Sequence, residues 1–331
     1  MRFRTSSVSR LVSAAACAAG ARPFTLPSNG QTIASALALA TASFTDSGVP
    51  EPALSAEHLL TRCAGFGSSR AALSIHKQEH LDDGARVAFE TMCTERLARR
   101  PVQYILGDWD FLDLTLTMRA PVLIPRPETE ELVELVLEAH GHARGGDGGA
   151  TSFLDVGCGS GAIGLALLHR LPEARCVAID VSAAAAELSA HNAKLCGLAD
   201  RYRVELVDGG VAACAFDVRF DVIVANLPYI PRSDMGTLEP EVAWYEDVGA
   251  LCGGEDGLDI VRETLAAAPR LLRRDGPRTI WLEVDPTHPA LIDCMLREQQ
   301  SELRMEMVRE IADAYGRPRF CEIRWRGPSN A

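Results

Sequence analysis

Helical spacing of apolar positions dominates the first hundred or so residues. Leu54, Leu59 and Leu60 follow Pro52 and stop before Gly65, and Val87, Phe89, Met92 and Leu97 recur between Asp82 and Arg99. Pro101 ends the second helix, and Glu95, Arg96, Arg99 and Arg100 read as its solvated face. From Tyr104 to Leu123 the period changes to two. Leu112, Leu114, Leu116 and Met118 alternate with Asp113, Thr115 and Thr117, which predicts strand–turn–strand. Pro127, with Glu128 and Glu130 beside it, then opens a helix with Leu132, Val133 and Val136 on its buried side. Beyond the Gly-rich stretch 141–150, short apolar runs alternate with helical ones. Strands are predicted at Phe153–Val156, Arg175–Asp180, Val204–Asp208, Phe220–Ala225, Thr279–Val284 and Phe320–Trp325. That order is the signature of an α/β domain built on a parallel sheet. The pattern divides the chain into residues 1–45, a helical domain over 46–102, a hairpin linker over 103–123 and an α/β domain over 124–327.

The first strand of that domain runs into glycines: Asp155-Val156-Gly157-Cys158-Gly159-Ser160-Gly161-Ala162-Ile163-Gly164. A turn of this kind leaves backbone amides and a helix N-terminus facing whatever sits above the strand. The loop fits two ligand classes. Gly159, Gly161 and Gly164 satisfy the dinucleotide spacing, and Gly157, Gly159 and Gly161 satisfy the spacing used by S-adenosylmethionine enzymes. The second strand ends in Asp180, where an acid accepts hydrogen bonds from ribose hydroxyls in either class. The third ends in Asp208, beside Gly209, where an adenine amino group is a candidate partner. The fourth delivers Asn226-Leu227-Pro228-Tyr229 to the same sheet edge.

That tetrapeptide separates the two classes. An amide or exocyclic amine nitrogen is a poor nucleophile because its lone pair is delocalised. Acceptors that grip its N–H groups turn the lone pair towards an electrophile. The Asn226 Oδ1 and the Leu227 carbonyl suit that task, Pro228 stiffens the turn, and Tyr229 offers a face for a planar group. Positioning then supplies most of the rate. Hydride transfer has no use for this arrangement.

Composition narrows the rest. The net charge is −12, and residues 1–45 carry Arg2, Arg4, Arg10 and Arg22 with no acid, which leaves −16 on the remainder. A chain this acidic is a poor general nucleic-acid binder. The arginine-bearing, serine-rich, acid-free start predicts an organellar transit peptide or a disordered tail. Mitochondrial import to the matrix is the leading expectation, with plastid or cytoplasmic residence as alternatives. No apolar run is long enough to span a bilayer. Ten scattered cysteines, none in a C-x-x-C pair, fit free thiols and no metal framework. Cys158 reads as a small side chain packed under the ligand. Arg126 reads as either a cleft residue or half of an ion pair.

The chain resembles the HemK/PrmC family of release factor glutamine (N5) methyltransferases over residues 50–326. The blocks that carry the resemblance are Pro101–Gly107, Ile124–Glu130, Leu154–Ile163, Asn226–Ile230 and Gly253–Asp259. The N-terminal extension, Glu283–Pro289 and Gly316–Phe320 look most like the mitochondrial branch. The resemblance implies a class-I S-adenosylmethionine-dependent methyltransferase. Its Rossmann-like seven-stranded sheet would have the last strand antiparallel, behind a small helical domain that recognises the substrate. The implied substrate and partner is a class-I peptide release factor, methylated at the glutamine of its Gly-Gly-Gln motif. Carried over by position, Asp155, Gly157, Cys158, Gly159, Ser160, Gly161, Asp180, Asp208, Gly209 and Asn226 would serve the cofactor, and Asn226, Leu227, Pro228 and Tyr229 the glutamine. The family usually has proline where Leu227 stands. Asn-Leu-Pro-Tyr also occurs in rRNA adenine dimethyltransferases, so an adenine-N6 methyltransferase acting on RNA or DNA is the alternative.

Overall fold

The computed structural model describes residues 23–27, 30–67, 69–141 and 150–327, which fall into two compact units. The first unit is helical and takes in the described residues up to Gly107, together with Pro240–Tyr245. Its helices are α1 (Ile33–Asp46), α2 (Pro52–Cys63), α3 (Arg70–Ile75), α4 (Asp83–Leu97) and α5 (Val102–Leu106). Thr32 caps α1 by accepting the Ser35 amide, and Asp82 caps α4 by accepting the Ala85 amide. Ala36, Ala40 and Phe44 of α1 are fully buried, as are Leu59, Leu60 and Phe89. Helix α1 therefore packs into the core along one side, and the expectation of a transit peptide or disordered tail over the whole of 1–45 is too long. Residues 1–22, which hold all four arginines of that tract, lie outside the described residues.

Two further expectations are corrected in this unit. Val102–Leu106 is a helical turn ending at Gly107, where extended chain was expected from Tyr104. Arg96 is not on a solvated face. It is only 4% exposed, its Nε donates to Ser55 Oγ at 3.2 Å, and its guanidinium reaches Glu241 at 2.8 Å. Arg99 grips the same carboxylate with two hydrogen bonds of 2.7 Å. A buried charge survives only when paired this way, and the partner lies about 145 residues away in sequence.

The second unit is the α/β domain. A hairpin, β1 (Asp108–Phe111) with β2 (Leu114–Thr117), precedes α6 (Pro127–His140). The hairpin belongs to this unit and is not a free link: Asn192 pairs with both backbone groups of Thr117 and also donates to Ser160 O at 2.9 Å. Then follow β3 (Ser152–Val156), α7 (Ala162–Arg170), β4 (Arg175–Asp180), α8 (Ala183–Leu195), β5 (Tyr202–Leu206), β6 (Val222–Asn226), α9 (Asp259–Leu271), β7 (Thr279–Glu283), α10 (His288–Glu298), β8 (Met305–Ala312) and β9 (Pro318–Trp325). The sheet order is β5-β4-β3-β6-β7-β9-β8. The first five strands are parallel, and β9 is antiparallel to both of its neighbours. This is the expected seven-stranded sheet.

Strands β3, β6 and β7 are buried almost throughout, as parallel strands covered on both faces must be. Leu154, Ile223, Ile280 and Leu282 pack on Val261 and Leu265 of α9 and Ile292 of α10. The opposite face meets α6, α7 and α8. Strand order reverses between β3 and β6, and ligand crevices in open α/β sheets form at such a point.

Candidate active site

Register builds the site. Val156 pairs with Ile179 on one side and Ala225 on the other. The next residues, Gly157, Asp180 and Asn226, therefore leave the sheet side by side at its carboxyl edge. Gly157, Gly159 and Gly161 all take left-handed backbone angles, which fold the chain back over the strand ends. The amides of Gly157 and Cys158 both donate to Ile179 O, at 2.9 and 3.0 Å. Asp180 completes the tie: one carboxylate oxygen accepts the Gly159 amide and the other the Ser182 amide, each at 2.9 Å. Burial holds the Asp180 carboxyl above the usual carboxylate range, against the pull of these amides.

Gly164 answers to packing. A Cβ there would lie 2.7 Å from Tyr202 Cε2 and 2.9 Å from Asp155 Oδ2. Asp155 itself is wholly buried beneath the turn, where it accepts the Gly164 amide at 3.0 Å, and burial raises it to about 7. It fastens α7 to β3 from below and does not line the cleft. Cys158 and Ser160 are also buried under the turn, and burial pushes the Cys158 thiol well up, so it is no ready nucleophile.

Above the strand ends lies a cavity of about 160 Å³. Gly157, Gly159 and Asp180 form one wall, Asn226, Leu227 and Pro228 another, and Val181, Val207 and Ile260 give an apolar lining. Asp208 and Gly209 lie beyond the end of β5, and Asp208 is exposed; Val207 and Gly210 line the cavity at that point. Tyr229 is half-buried and does not line it.

The tetrapeptide is braced from two sides. Asn226 Nδ2 donates to Thr129 Oγ1 at 3.0 Å, from the first turn of α6. On the far side runs Gly253-Gly254-Glu255-Asp256-Gly257. A Cβ on Gly253 would meet Pro228 O at 2.5 Å, and one on Gly257 would collide with Tyr229 O. Ile230 also exchanges backbone hydrogen bonds with Leu251 and Gly253, at 3.0 and 2.9 Å. Leu227 is 2% exposed and packs into the core with Leu258 and Val261. Arg126 proves structural, donating to both oxygens of the buried Glu246 at 2.8 and 2.7 Å.

Thr129 and Glu283 are further functional candidates that the sequence pattern does not single out. Glu283 pairs in register with Asn226 and is 1% exposed. Burial raises its carboxyl to about 7. A charged residue inside the apolar run Thr279–Val284 was the available signal.

A reversed strand inserted beside β7, a glycine turn after β3, an acid ending β4 and Asn-x-Pro-Tyr ending β6 define the class as a methyltransferase. Comparisons with known proteins refine it. Residues 35–107 match the PrmC N-terminal domain and residues 143–238 the Methyltransferase small domain. The chain is 43% identical over 297 residues to the human MTRF1L release factor glutamine methyltransferase, covering 87% of this chain and 86% of that protein. It is 35% identical to the release factor glutamine methyltransferase of Deinococcus radiodurans, over 88% of this chain and 98% of that one. The chain belongs to the release factor glutamine methyltransferase family. Among solved structures, the human Mettl16 catalytic domain in complex with MAT2A 3'UTR hairpin 6 superposes with a TM-score of 0.50 at 17% identity, over 71% of this chain and 83% of that one, a likeness of fold alone.

Proposed function

We propose that this chain transfers a methyl group from S-adenosylmethionine to the side-chain amide nitrogen of the glutamine in the Gly-Gly-Gln motif of a class-I peptide release factor. The observation that carries the reading is the Asn226 amide. Its Nδ2 is engaged by Thr129, which leaves Oδ1 as a neutral acceptor at the mouth of a nucleotide-type cavity. The cavity fits the cofactor. A Cβ on Gly157 would project into the space between the turn and the tetrapeptide, 3.7 Å from Leu227 Cδ2. Each Asp180 oxygen accepts one amide and keeps capacity for a ribose hydroxyl. Val181, Val207 and Ile260 suit a planar ring. When bound, S-adenosylmethionine supplies an electrophilic methyl group on a positively charged sulfur.

The chain's own residues do the remainder. Asn226 Oδ1 accepts one N–H of the glutamine amide, and the Leu227 carbonyl accepts the other. Both acceptors are neutral, so they orient the nitrogen without demanding its proton in the ground state; the methylated nitrogen then releases one N–H proton to water. The brace at Gly253 and Gly257 keeps the Leu227 peptide fixed, and this pre-organisation stands in for the flexible alignment that water would allow. The adenine reading drew on Leu227. Its side chain fills the core, so leucine there answers to packing and leaves the acceptor unchanged. The acidity of the chain also disfavours an RNA substrate.

Purified chain, labelled S-adenosylmethionine and a release factor, followed by mass spectrometry of the glutamine peptide, test this directly. For localisation we propose mitochondrial import, supported by the acid-free residues 1–22 with their four arginines. No helix of the described residues is long and apolar enough to cross a membrane. A fluorescent fusion of residues 1–22 should enter the organelle, and a diffuse cytosolic signal contradicts the targeting claim.

A further inference from the structure

The Asn226 amide can work in only one of its two orientations. With Oδ1 towards the substrate it accepts a glutamine N–H; flipped by 180°, it presents its own N–H groups to that N–H and repels it. Thr129 holds Nδ2 at 3.0 Å, but a hydroxyl is both donor and acceptor. It would serve the flipped amide equally well by donating to Oδ1. Whatever takes the Thr129 hydrogen decides the matter.

Glu283 is placed to take it. It is the register partner of Asn226 on β7, so the two side chains leave the sheet on the same face, the face covered by α6. Both of its buried carboxylate oxygens lack a hydrogen-bond partner among the described residues. The Thr129 hydroxyl lies near enough to favour the charged form of that carboxyl. An unpaired buried carboxylate is costly to keep, and next to a methyl-transfer site it calls for a reason.

We propose that Glu283 is a positioning residue that sets the direction of a hydrogen-bond chain, Asn226 Nδ2–H to Thr129 Oγ1 and Thr129 Oγ1–H to the Glu283 carboxylate, and so keeps Asn226 Oδ1 facing the substrate amide. The carboxylate only accepts. Thr129 must then donate to it and accept from Asn226, and the flipped amide loses its partner. A protonated Glu283 donates to Thr129 instead, frees the hydroxyl hydrogen for Asn226 Oδ1 and allows the flip. The groups that face Glu283 are Tyr229 after β6, Arg126 just ahead of α6, Glu128 in its first turn, and Arg319 on β9. Arg126 and Arg319 favour the carboxylate, Glu128 opposes it, and burial opposes it most.

The inference rests on the proposed amide substrate for its kinetic arm and has a second arm that does not. With ¹⁵N-labelled protein free of substrate, the Asn226 side-chain amide resonances, assigned by their loss in Asn226→Ala, should shift as pH rises through about 7. The shift should vanish in Glu283→Gln and in Thr129→Val and persist in Thr129→Ser. Resonances that do not move in the wild type, or that titrate unchanged in Glu283→Gln, overturn the proposal whatever the substrate. In turnover of the release factor, Glu283→Gln and Thr129→Val should each lower kcat on the order of 10-fold to 100-fold with KM nearly unchanged. The acid limb of the pH profile should disappear in Glu283→Gln. Asp155 titrates in the same range, so an acid limb that survives Glu283→Gln assigns it elsewhere and also counts against the proposal. A wild type inactive on the release factor overturns the substrate reading alone, since the resonance titration still decides the relay.

Discussion

Two carboxyl groups, Asp155 and Glu283, are buried in this fold at a cost. Both are all but fully buried, and burial lifts each to about 7. An acid whose folded pKa lies above its unfolded value contributes stability that is full below the unfolded pKa and is lost as pH rises through the folded one. The window here runs from about pH 4 to about pH 7. Glu283→Gln removes the charge that must be buried above that window. It is expected to raise the melting temperature at pH 8, to do so less at pH 5, and to lose turnover at the same time. Thermal unfolding at the two pH values checks this, and a melting temperature that falls equally at both contradicts it. Leu227→Pro is a different case. It would stiffen the turn but empties a core position, so stability should fall by about 2 kcal/mol or more while the backbone acceptor is retained. Denaturant unfolding together with turnover separates the two effects. The glycine turn, Asp180 and Asn226 were legible from sequence because each sits at the end of an apolar run. Thr129 and Glu283 were not, because their roles depend on which strands and helices become neighbours, and a hydroxyl in a helix's first turn reads as an ordinary cap.

At the scale of elements, β3, β4, β6 and β7 were legible because parallel strands buried on both faces leave continuous apolar runs. Strand β8 was missed. It lies at the sheet edge and carries Glu306, Arg309 and Glu310, the charges that keep an edge from pairing with another chain. Helix α1 was missed because its buried side, Ile33, Ala36, Ala40 and Phe44, is half alanine, within a tract whose composition resembles a leader. Removing residues 1–46 should accordingly lower the melting temperature, since it takes Ile33 and Phe44 out of the helical core. An unchanged melting temperature contradicts that packing. The Gly253–Gly257 turn has a test of its own. Gly257→Ala drives a Cβ into the Tyr229 carbonyl and should cut turnover while cofactor affinity, read by calorimetry with adenosylhomocysteine, stays close to that of the wild type. Asp180→Ala should do the reverse and weaken that affinity by about 1–3 kcal/mol, the cost of leaving its partners unsatisfied.

For the whole molecule, the central claim is chemical: a neutral asparagine and a backbone carbonyl at the end of β6 present a glutamine amide for methylation. The net charge of −12 and the family to which the chain belongs both favour a protein substrate over a nucleic acid. The measurement that tests this most directly offers wild-type chain and Asn226→Ala a purified release factor and deproteinised ribosomal RNA in one reaction with labelled S-adenosylmethionine. Peptides and nucleosides are then separated and read by mass spectrometry. The expected result is one added methyl group on the glutamine of the Gly-Gly-Gln peptide with the wild type, none with Asn226→Ala, and an unlabelled RNA. Methylated adenine, with an unmodified release factor, would contradict it.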